Sequence, residues 1–455
     1  MTQKQRVHAA LEGRPVDRPP VTALYNMLYY QDHFPELTGL PPHEQWRWRF
    51  AEPAAHVRVY REMIALAPFE LLQPQHAPSR EERESTEIIQ RDGAWFIHNR
   101  RRDSWTPVAT RSGHPTDYTH NERQIVSDEA DAREHIVAGR HEDALAAGHS
   151  DYLDEVVAQL GADHFILSGG VAGPFWQSSF YVGLTNLLAM AIEKPDLIDT
   201  TCKLCHAQNL EHVRMLAAAG GDAIYVDDAI ATSDMISVAH YERFCLPYMV
   251  DMVGAIHRLG HKAIVIYYGG VMDRLEHIAS IGADGFAMET SMKGYVNDIA
   301  AIADAIGSRV TLFGNLDPIG VLQNGSDRLL EAEVARQQAA GRRVRGFVVC
   351  TGSPITPSTP LARVQRFLEL GRRHRAGPGR PRAAGAHAPE GPPVDGGMTT
   401  LARNAVSDLG TRVPAGTYLV CVWRSAARRA GRRSRWLGSR FAGKGRAAVE
   451  MGNRR

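Results

Sequence analysis

Ala223-Ile224-Tyr225-Val226-Asp227-Asp228, Ala263-Ile264-Val265-Ile266-Tyr267-Tyr268-Gly269-Gly270 and Gly285-Phe286-Ala287-Met288-Glu289 are short apolar runs that end in acids, tyrosines or glycines. Longer stretches of helical period separate them, Ala239 to Leu259 and Val271 to Ile281. Short buried runs alternating with helices are the pattern of parallel β/α units, since parallel neighbours need a long crossover between them. Working outward, the same reading predicts further strands at Pro20 to Leu24, Phe69 to Gln73, His164 to Ser168, Val310 to Phe313 and Gly346 to Cys350. It adds helices at Pro195 to Ala219, Val296 to Ile306 and Asp327 to Ala340. Eight strands each followed by a helix predict an α/β fold, a closed (β/α)8 TIM barrel over residues 1–371. The rival is a doubly wound open sheet, but no Gly-x-Gly-x-x-Gly follows the first strand.

Two segments break the alternation. Glu87 to Arg123 places Ile88, Trp95, Phe96, Ile97 and Trp105 among polar residues and reads as an inserted β-hairpin, with Trp95 and Trp105 as lid candidates. Residues 372–455 are rich in Arg, Gly, Pro and Ala without sustained period and are expected to be a disordered basic tail. From Gly371 onward 18 basic residues face four acids, so the tail carries +14 and the rest −13 within a net charge of +1. Only Trp423, Trp436 and Phe441 interleave its arginines, so nucleic-acid binding is not expected.

The chain has 455 residues, 44 % of them hydrophobic and 23 % charged, which excludes a disordered, collagenous or coiled-coil protein. No run approaches a membrane span, and the N-terminus lacks the apolar segment of a secretion signal, so a cytoplasmic protein is expected. Five irregularly spaced cysteines do not make a disulfide framework. Cys202-Lys203-Leu204-Cys205-His206 matches a haem-attachment pattern but falls inside a long helical stretch, where packing is the expected role.

In a barrel the chemistry collects at the C-terminal strand ends. There the sequence offers Tyr25 and Asn26, then the loop Ser168 to Phe175, then Asp227-Asp228. Tyr267 and Tyr268, Glu289, Asn315 with Asp317, and Ser353 follow. Of the adjacent acids at most one is expected to face the pocket, its neighbour capping the next helix. The expected catalytic set is Glu289, Asp228 and Tyr267, because two carboxylates sharing a pocket would separate their pKa values for acid/base work. Tyr25, Asn26, Phe175, Tyr268, Asn315, Asp317 and Ser353 are the expected substrate-binding residues.

Several segments together carry a family likeness: Lys4 to Val7 with Asp17 to Val21, Gly173-Pro174-Phe175, Glu193 to Leu197, Leu246-Pro247-Tyr248, Gly314 to Pro318, and Thr351 to Pro360. In their order they resemble the uroporphyrinogen decarboxylase superfamily over about residues 1–372. The resemblance implies a (β/α)8 barrel. It also implies one of two activities: cofactor-free decarboxylation of a tetrapyrrole, or methyl transfer with a corrinoid protein at a zinc site. True decarboxylases carry Arg-Gln-Ala-Gly-Arg after the first strand, where this chain has Tyr25-Asn26-Met27-Leu28-Tyr29-Tyr30. The zinc branch is marked by His-x-Cys-Gly and Gly-Cys, where this chain has Ile266-Tyr267-Tyr268-Gly269 and Gly352-Ser353. The expectation is therefore no metal, no tightly bound cofactor, and a resemblance to zinc-less members that pass a methyl group from an O- or N-methylated donor to cobalamin on a partner protein. A homodimer is compatible with it. Decarboxylation of uroporphyrinogen or a related carboxylate, and ligand binding without turnover, stay open as alternatives.

Overall fold

Seven parallel strands run in chain order across one curled sheet: β1 (Leu71–Leu72), β5 (Phe165–Ala172), β6 (Ala223–Asp227), β7 (Lys262–Tyr267), β8 (Gly285–Met288), β9 (Thr311–Phe313) and β10 (Phe347–Val348). They belong to a computed structural model that describes residues 1–108, 124–291 and 294–373. The expected tail beyond residue 373 and the end of the insertion, 109–123, lie outside the described residues.

The first expected strand, Pro20 to Leu24, is reduced to a single parallel bridge between Val21 and Val349. Pro19 and Pro20 have no N–H to donate, so the ladder stays short. It nevertheless joins the two sheet edges. On one side Thr22 N donates to Val349 O at 2.9 Å and Val349 N to Pro20 O at 2.9 Å. On the other, Glu70 N donates to Val21 O at 3.0 Å and Thr22 Oγ1 to Leu71 O at 3.1 Å. A curled parallel sheet bridged edge to edge is consistent with a TIM-like barrel.

Alternate residues of the strands converge on one apolar core, among them Phe165, Leu167, Tyr225, Ile264, Ile266, Ala287, Phe313 and Cys350. The helix Gln3–Leu11, started by a Thr2–Gln5 capping box, adds Val7 and Leu11 to that core from the N-terminal side. Below the core, the buried Glu70 carboxylate accepts from Arg6 Nη1 at 2.9 Å and Arg18 Nη1 at 2.5 Å.

Three expectations are corrected. The Gly-rich segment after Ser168 is not a loop: β5 continues to Ala172, with a register shift between Leu167 and Gly169. Gly169 lies at φ +143°, and a Cβ on Gly170 would fall 2.1 Å from the Tyr225 ring, so the glycines serve packing within a strand. The expected single helix Ala239 to Leu259 is two, Val238–Phe244 and Leu246–Arg258, because Pro247 is tolerated only in a first turn. The expected helix from Val271 starts at Leu275. Before it, the fully buried Arg274 donates to Ala231 O and Ile236 O, each at 2.9 Å, and so holds the loop after β6.

Between β1 and β5 lies an antiparallel three-stranded sheet, β2 (Thr86–Arg91), β3 (Ala94–Asn99) and β4 (Ser104–Pro107). Trp95 stacks on His43 with ring centroids 3.7 Å apart, and Trp105 on His98 at 3.9 Å. Neither ring lines the cleft described below. Among the described residues no helix is long and apolar enough to cross a membrane.

Candidate active site

Two residues beyond the last core position of each strand comes the next side chain of the same parity. For β6 to β9 these are Asp227, Tyr268, Glu289 and Asn315, following Tyr225, Ile266, Ala287 and Phe313. Parity therefore separates the adjacent pairs. Asp227 is the inward acid, while Asp228 lies behind the strand, fully buried against Gly173 with Cys245 and Arg274 as its neighbours. Burial pushes the Asp228 carboxyl up to about 7, against the pull of the Cys245 thiol and the Arg274 charge. Tyr267 is likewise outward, its hydroxyl 2.8 Å from that of Tyr241 in the helix layer. Asp228 and Tyr267 are thus not placed for the catalytic roles expected of them.

Tyr25 joins the inward groups. Its backbone takes a left-handed conformation, φ 51°, that a bulky residue adopts only when its surroundings enforce it. Asn26 supplies that constraint: its Nδ2 donates to Leu71 O at 2.8 Å and its Oδ1 accepts from Gln73 N at 3.1 Å. Asn26, expected to bind substrate, is instead a satisfied pin between the Tyr25 turn and β1. So held, the Tyr25 hydroxyl donates to Asp227 Oδ2, and its ring lies 5.5 Å from Tyr225 and 5.9 Å from Tyr268.

Asp227 is 2 % exposed, and its Oδ1 has no hydrogen-bond partner among the described residues. Burial drives its carboxyl well above the usual carboxylate range; the Tyr25 hydroxyl pulls it back, and the Asp228 charge pushes it further up. It faces a cleft, open to solvent, whose walls include Met27, Arg49, Gln75, His76, Trp176 and Tyr225. Burial lowers His76 to about 4, so that ring is neutral. Arg49 ends the helix Glu44–Arg49, with its guanidinium over Trp46 at 4.7 Å and its Nη1 3.5 Å from Gln31 Oε1.

The remaining expected residues scatter. Glu289 accepts from the Tyr295 hydroxyl and, at 3.4 Å, from Ser353 Oγ; it is not in the cleft wall. Asn315 Nδ2 donates to Asn297 O at 2.8 Å, and its buried Oδ1 has no partner among the described residues. Asp317, expected to bind substrate, caps the short helix Pro318–Gln323 by accepting from Ile319 N at 2.8 Å and Gly320 N at 2.9 Å. Phe175 is fully buried, 5.7 Å from Phe244, because the helix Pro174–Val182 turns it away from the sheet interior. The cysteines of the haem-like pattern are buried too, their sulfurs 3.7 and 3.8 Å from Ser178 Oγ, and His206 Nε2 lies 2.8 Å from Asp251. Arg49, Gln75, His76 and Trp176 escaped the sequence reading: they belong to segments with no local signal for which side chain turns inward. Asp227 was within reach, as the residue sharing parity with Tyr225.

The positions that match zinc ligands in related enzymes do not fit a zinc ion. Ile266 is a core residue without a donor atom, Tyr268 packs against the core, and the Ser353 hydroxyl is directed to Glu289. Among the described residues the group able to converge on one cation is His141, Glu142 and Glu211, of which Glu142 is exposed, and it does not line the cleft.

Comparison with known proteins agrees with this architecture. A methylcobamide:CoM methyltransferase (MtbA) of Methanosarcina mazei is 23 % identical over 46 % of this chain and 56 % of its own. A uroporphyrinogen decarboxylase of Tolumonas auensis is 28 % identical over 44 % of this chain and 57 % of its own. The chain thus spans a little over half the length of these relatives. A solved structure described as a methyltransferase from Methanosarcina mazei shares the fold, with a TM-score of 0.56 at 20 % identity, covering 82 % of this chain and 98 % of its own. The sequence model of the uroporphyrinogen decarboxylase (URO-D) family matches residues 122–374, more than half of the chain, and the protein belongs to that family.

Proposed function

We propose that this protein transfers a methyl group from a small O- or N-methylated donor to a corrinoid carried by a partner protein, without zinc. The observation that supports it is Asp227: a buried carboxyl whose protonated form burial favours, hydrogen-bonded by Tyr25 and with one oxygen unpartnered among the described residues, at an aromatic-walled cleft. A concave cleft lined by apolar and aromatic side chains with a few polar groups suits a small molecule. A reduced corrinoid brought by the partner would supply the methyl acceptor; this chain itself holds no tightly bound cofactor in the reaction. As the heteroatom–methyl bond breaks, its electron pair stays on the heteroatom, which takes the Asp227 proton and leaves as the alcohol or amine. Tyr25 orients the carboxyl through its hydroxyl hydrogen bond. The aromatic wall of Trp176 and Tyr225 holds the donor and excludes water.

The other reaction of the family, decarboxylation of uroporphyrinogen or a related carboxylate, draws support from the decarboxylase relatives and from Arg49. A polyanionic substrate would need several cations, and Arg49 is the one guanidinium among the described residues of the wall. The discriminating experiment mixes the protein with cob(I)alamin and methoxylated or N-methylated donors and follows demethylated product by mass spectrometry. Product that disappears in Asp227→Asn supports methyl transfer. Loss of CO2 from uroporphyrinogen with no demethylation overturns it.

A further inference from the structure

Asp228 does not line the cleft, yet it is poorly accounted for by packing. It is fully buried, and neither of its oxygens has a hydrogen-bond partner among the described residues apart from the neighbouring Cys245 thiol, a weak donor. A buried carboxyl so poorly satisfied costs stability and calls for an explanation. The peptide unit that joins it to Asp227 is held from both sides: Gly173 N donates to Asp227 O at 2.5 Å, and Asp228 N donates to Ile266 O at 3.0 Å. The two buried carboxyls therefore stand on opposite faces of one fixed peptide. Around Asp228 the titratable and charged groups are Cys202, Tyr241, Cys245, Tyr267 and Arg274. Burial pushes those thiols and phenols up, so they stay neutral. Arg274 is the cation, but its guanidinium is already paired with Asp273 at 2.9 and 3.0 Å. A negative charge on Asp228 thus has no cation of its own, and it bears on Asp227 through protein that screens it little. On its own face Asp227 has Tyr25 and Tyr225 as neighbours and shares the cleft with Arg49 and the neutral His76.

We infer that Asp228 is a positioning residue that acts through Asp227: once ionised, its charge keeps the proton on the inward acid across the peptide they share. The Arg274 charge and the Cys245 thiol favour the ionised form of Asp228, so it is the first of the pair to lose its proton as pH rises. From there on the sealed charge opposes a second one beside it, and the cleft acid stays loaded where a lone carboxyl would have ionised. The use of that proton in turnover rests on the methyl-transfer reading; the coupling of the two acids does not.

Infrared titration of the full chain, with no donor and no corrinoid present, tests this. The band of the protonated Asp227 carboxyl is the one that Asp227→Asn removes. The pH at which that band is half lost should fall by about one unit or more in Asp228→Asn, and in the same direction in Asp228→Ala, at low and high salt alike. For a donor that is demethylated with cob(I)alamin, the alkaline limb of kcat should move to lower pH in Asp228→Asn, opposite to Tyr25→Phe, with KM little changed. A half-loss pH that stays or rises in either variant that melts as a folded protein overturns the inference. So does a limb that moves while the Asp227 band does not. A band that shifts while no methoxylated or N-methylated donor is demethylated removes the methyl-transfer reading and leaves the coupling standing.

Discussion

Asp227 and Asp228 are chemically identical neighbours set apart by the direction of one peptide unit. Asp227 meets the cleft and the Tyr25 hydroxyl; Asp228 is sealed behind the strand. If Asp227 is the acid, Asp227→Asn should lower turnover by about 10²- to 10⁴-fold with donor affinity little changed. Tyr25→Phe tests the same carboxyl from its partner's side. The Tyr25 hydrogen bond favours the charged form, so its loss raises the Asp227 pKa further, and the alkaline limb of the kcat profile should move to higher pH. For Asp228 the prediction concerns stability. Its folded pKa of about 7 exceeds the unfolded value of about 3.9, so the folded state holds a proton that the unfolded state has lost between those values. Stability from this group therefore falls as pH rises from about 4 to about 7 and then levels off. Asp228→Asn should match wild type in unfolding free energy near pH 4, exceed it progressively as the pH rises to about 7, by at most roughly 4 kcal/mol, and hold that difference above it. An unchanged difference across that range would contradict it.

At the level of elements, the cleft depends on β5 carrying no side chain where β6 presents an aromatic one. A methyl group on Gly170 would collide with the Tyr225 ring. Gly170→Ala should cost about 1–3 kcal/mol and displace Tyr225 toward the cleft, read as a lower melting temperature together with weaker ligand binding. The loop after β6 is fixed from the next unit by Arg274, which satisfies carbonyls that would otherwise be buried without partners. Strand ends are thus positioned by contacts from neighbouring units as well as by their own pattern.

Over the whole molecule, closure is electrostatic at one end. Glu70 has no exposed side-chain surface and gathers Arg6 from the first helix, Arg18 from the segment before the edge bridge and, at 3.5 Å, Arg372 from the helix Leu361–Arg372. Removing one partner of such a network leaves buried charge uncompensated. Glu70→Ala should destabilise by roughly 3–5 kcal/mol, measured by thermal or denaturant unfolding. The donor set at the strand ends makes a separate prediction. Purified protein should contain far less than one equivalent of zinc by elemental analysis, and added Zn²⁺ should not raise activity. A stoichiometric zinc bound near Ser353 would contradict it.

The β/α alternation was readable along the chain because strand and helix periods are local, and runs such as Gly285 to Met288 kept the expected bounds. The motif order carried the family in the same way, and the residues at the zinc-ligand positions could be read directly. Face and closure could not be read so. Whether Asp227 or Asp228, Tyr268 or Tyr267 turns inward depends on the parity each strand takes when it packs on the others, and a shift of one residue inverts it. The first strand was visible as an apolar run, but its proline-limited single bridge appears only when both sheet edges reach it. Arg49 and Gln75 reach the cleft from segments about 150 residues or more before Asp227 in the chain. Periodicity and motif are properties of near neighbours and are written in the sequence; the assembly of one cleft from the segment after β1, from β5 and β6, and from the helices Asn26–Asp32, Glu44–Arg49 and Pro174–Val182 is a long-range property that tertiary packing alone decided.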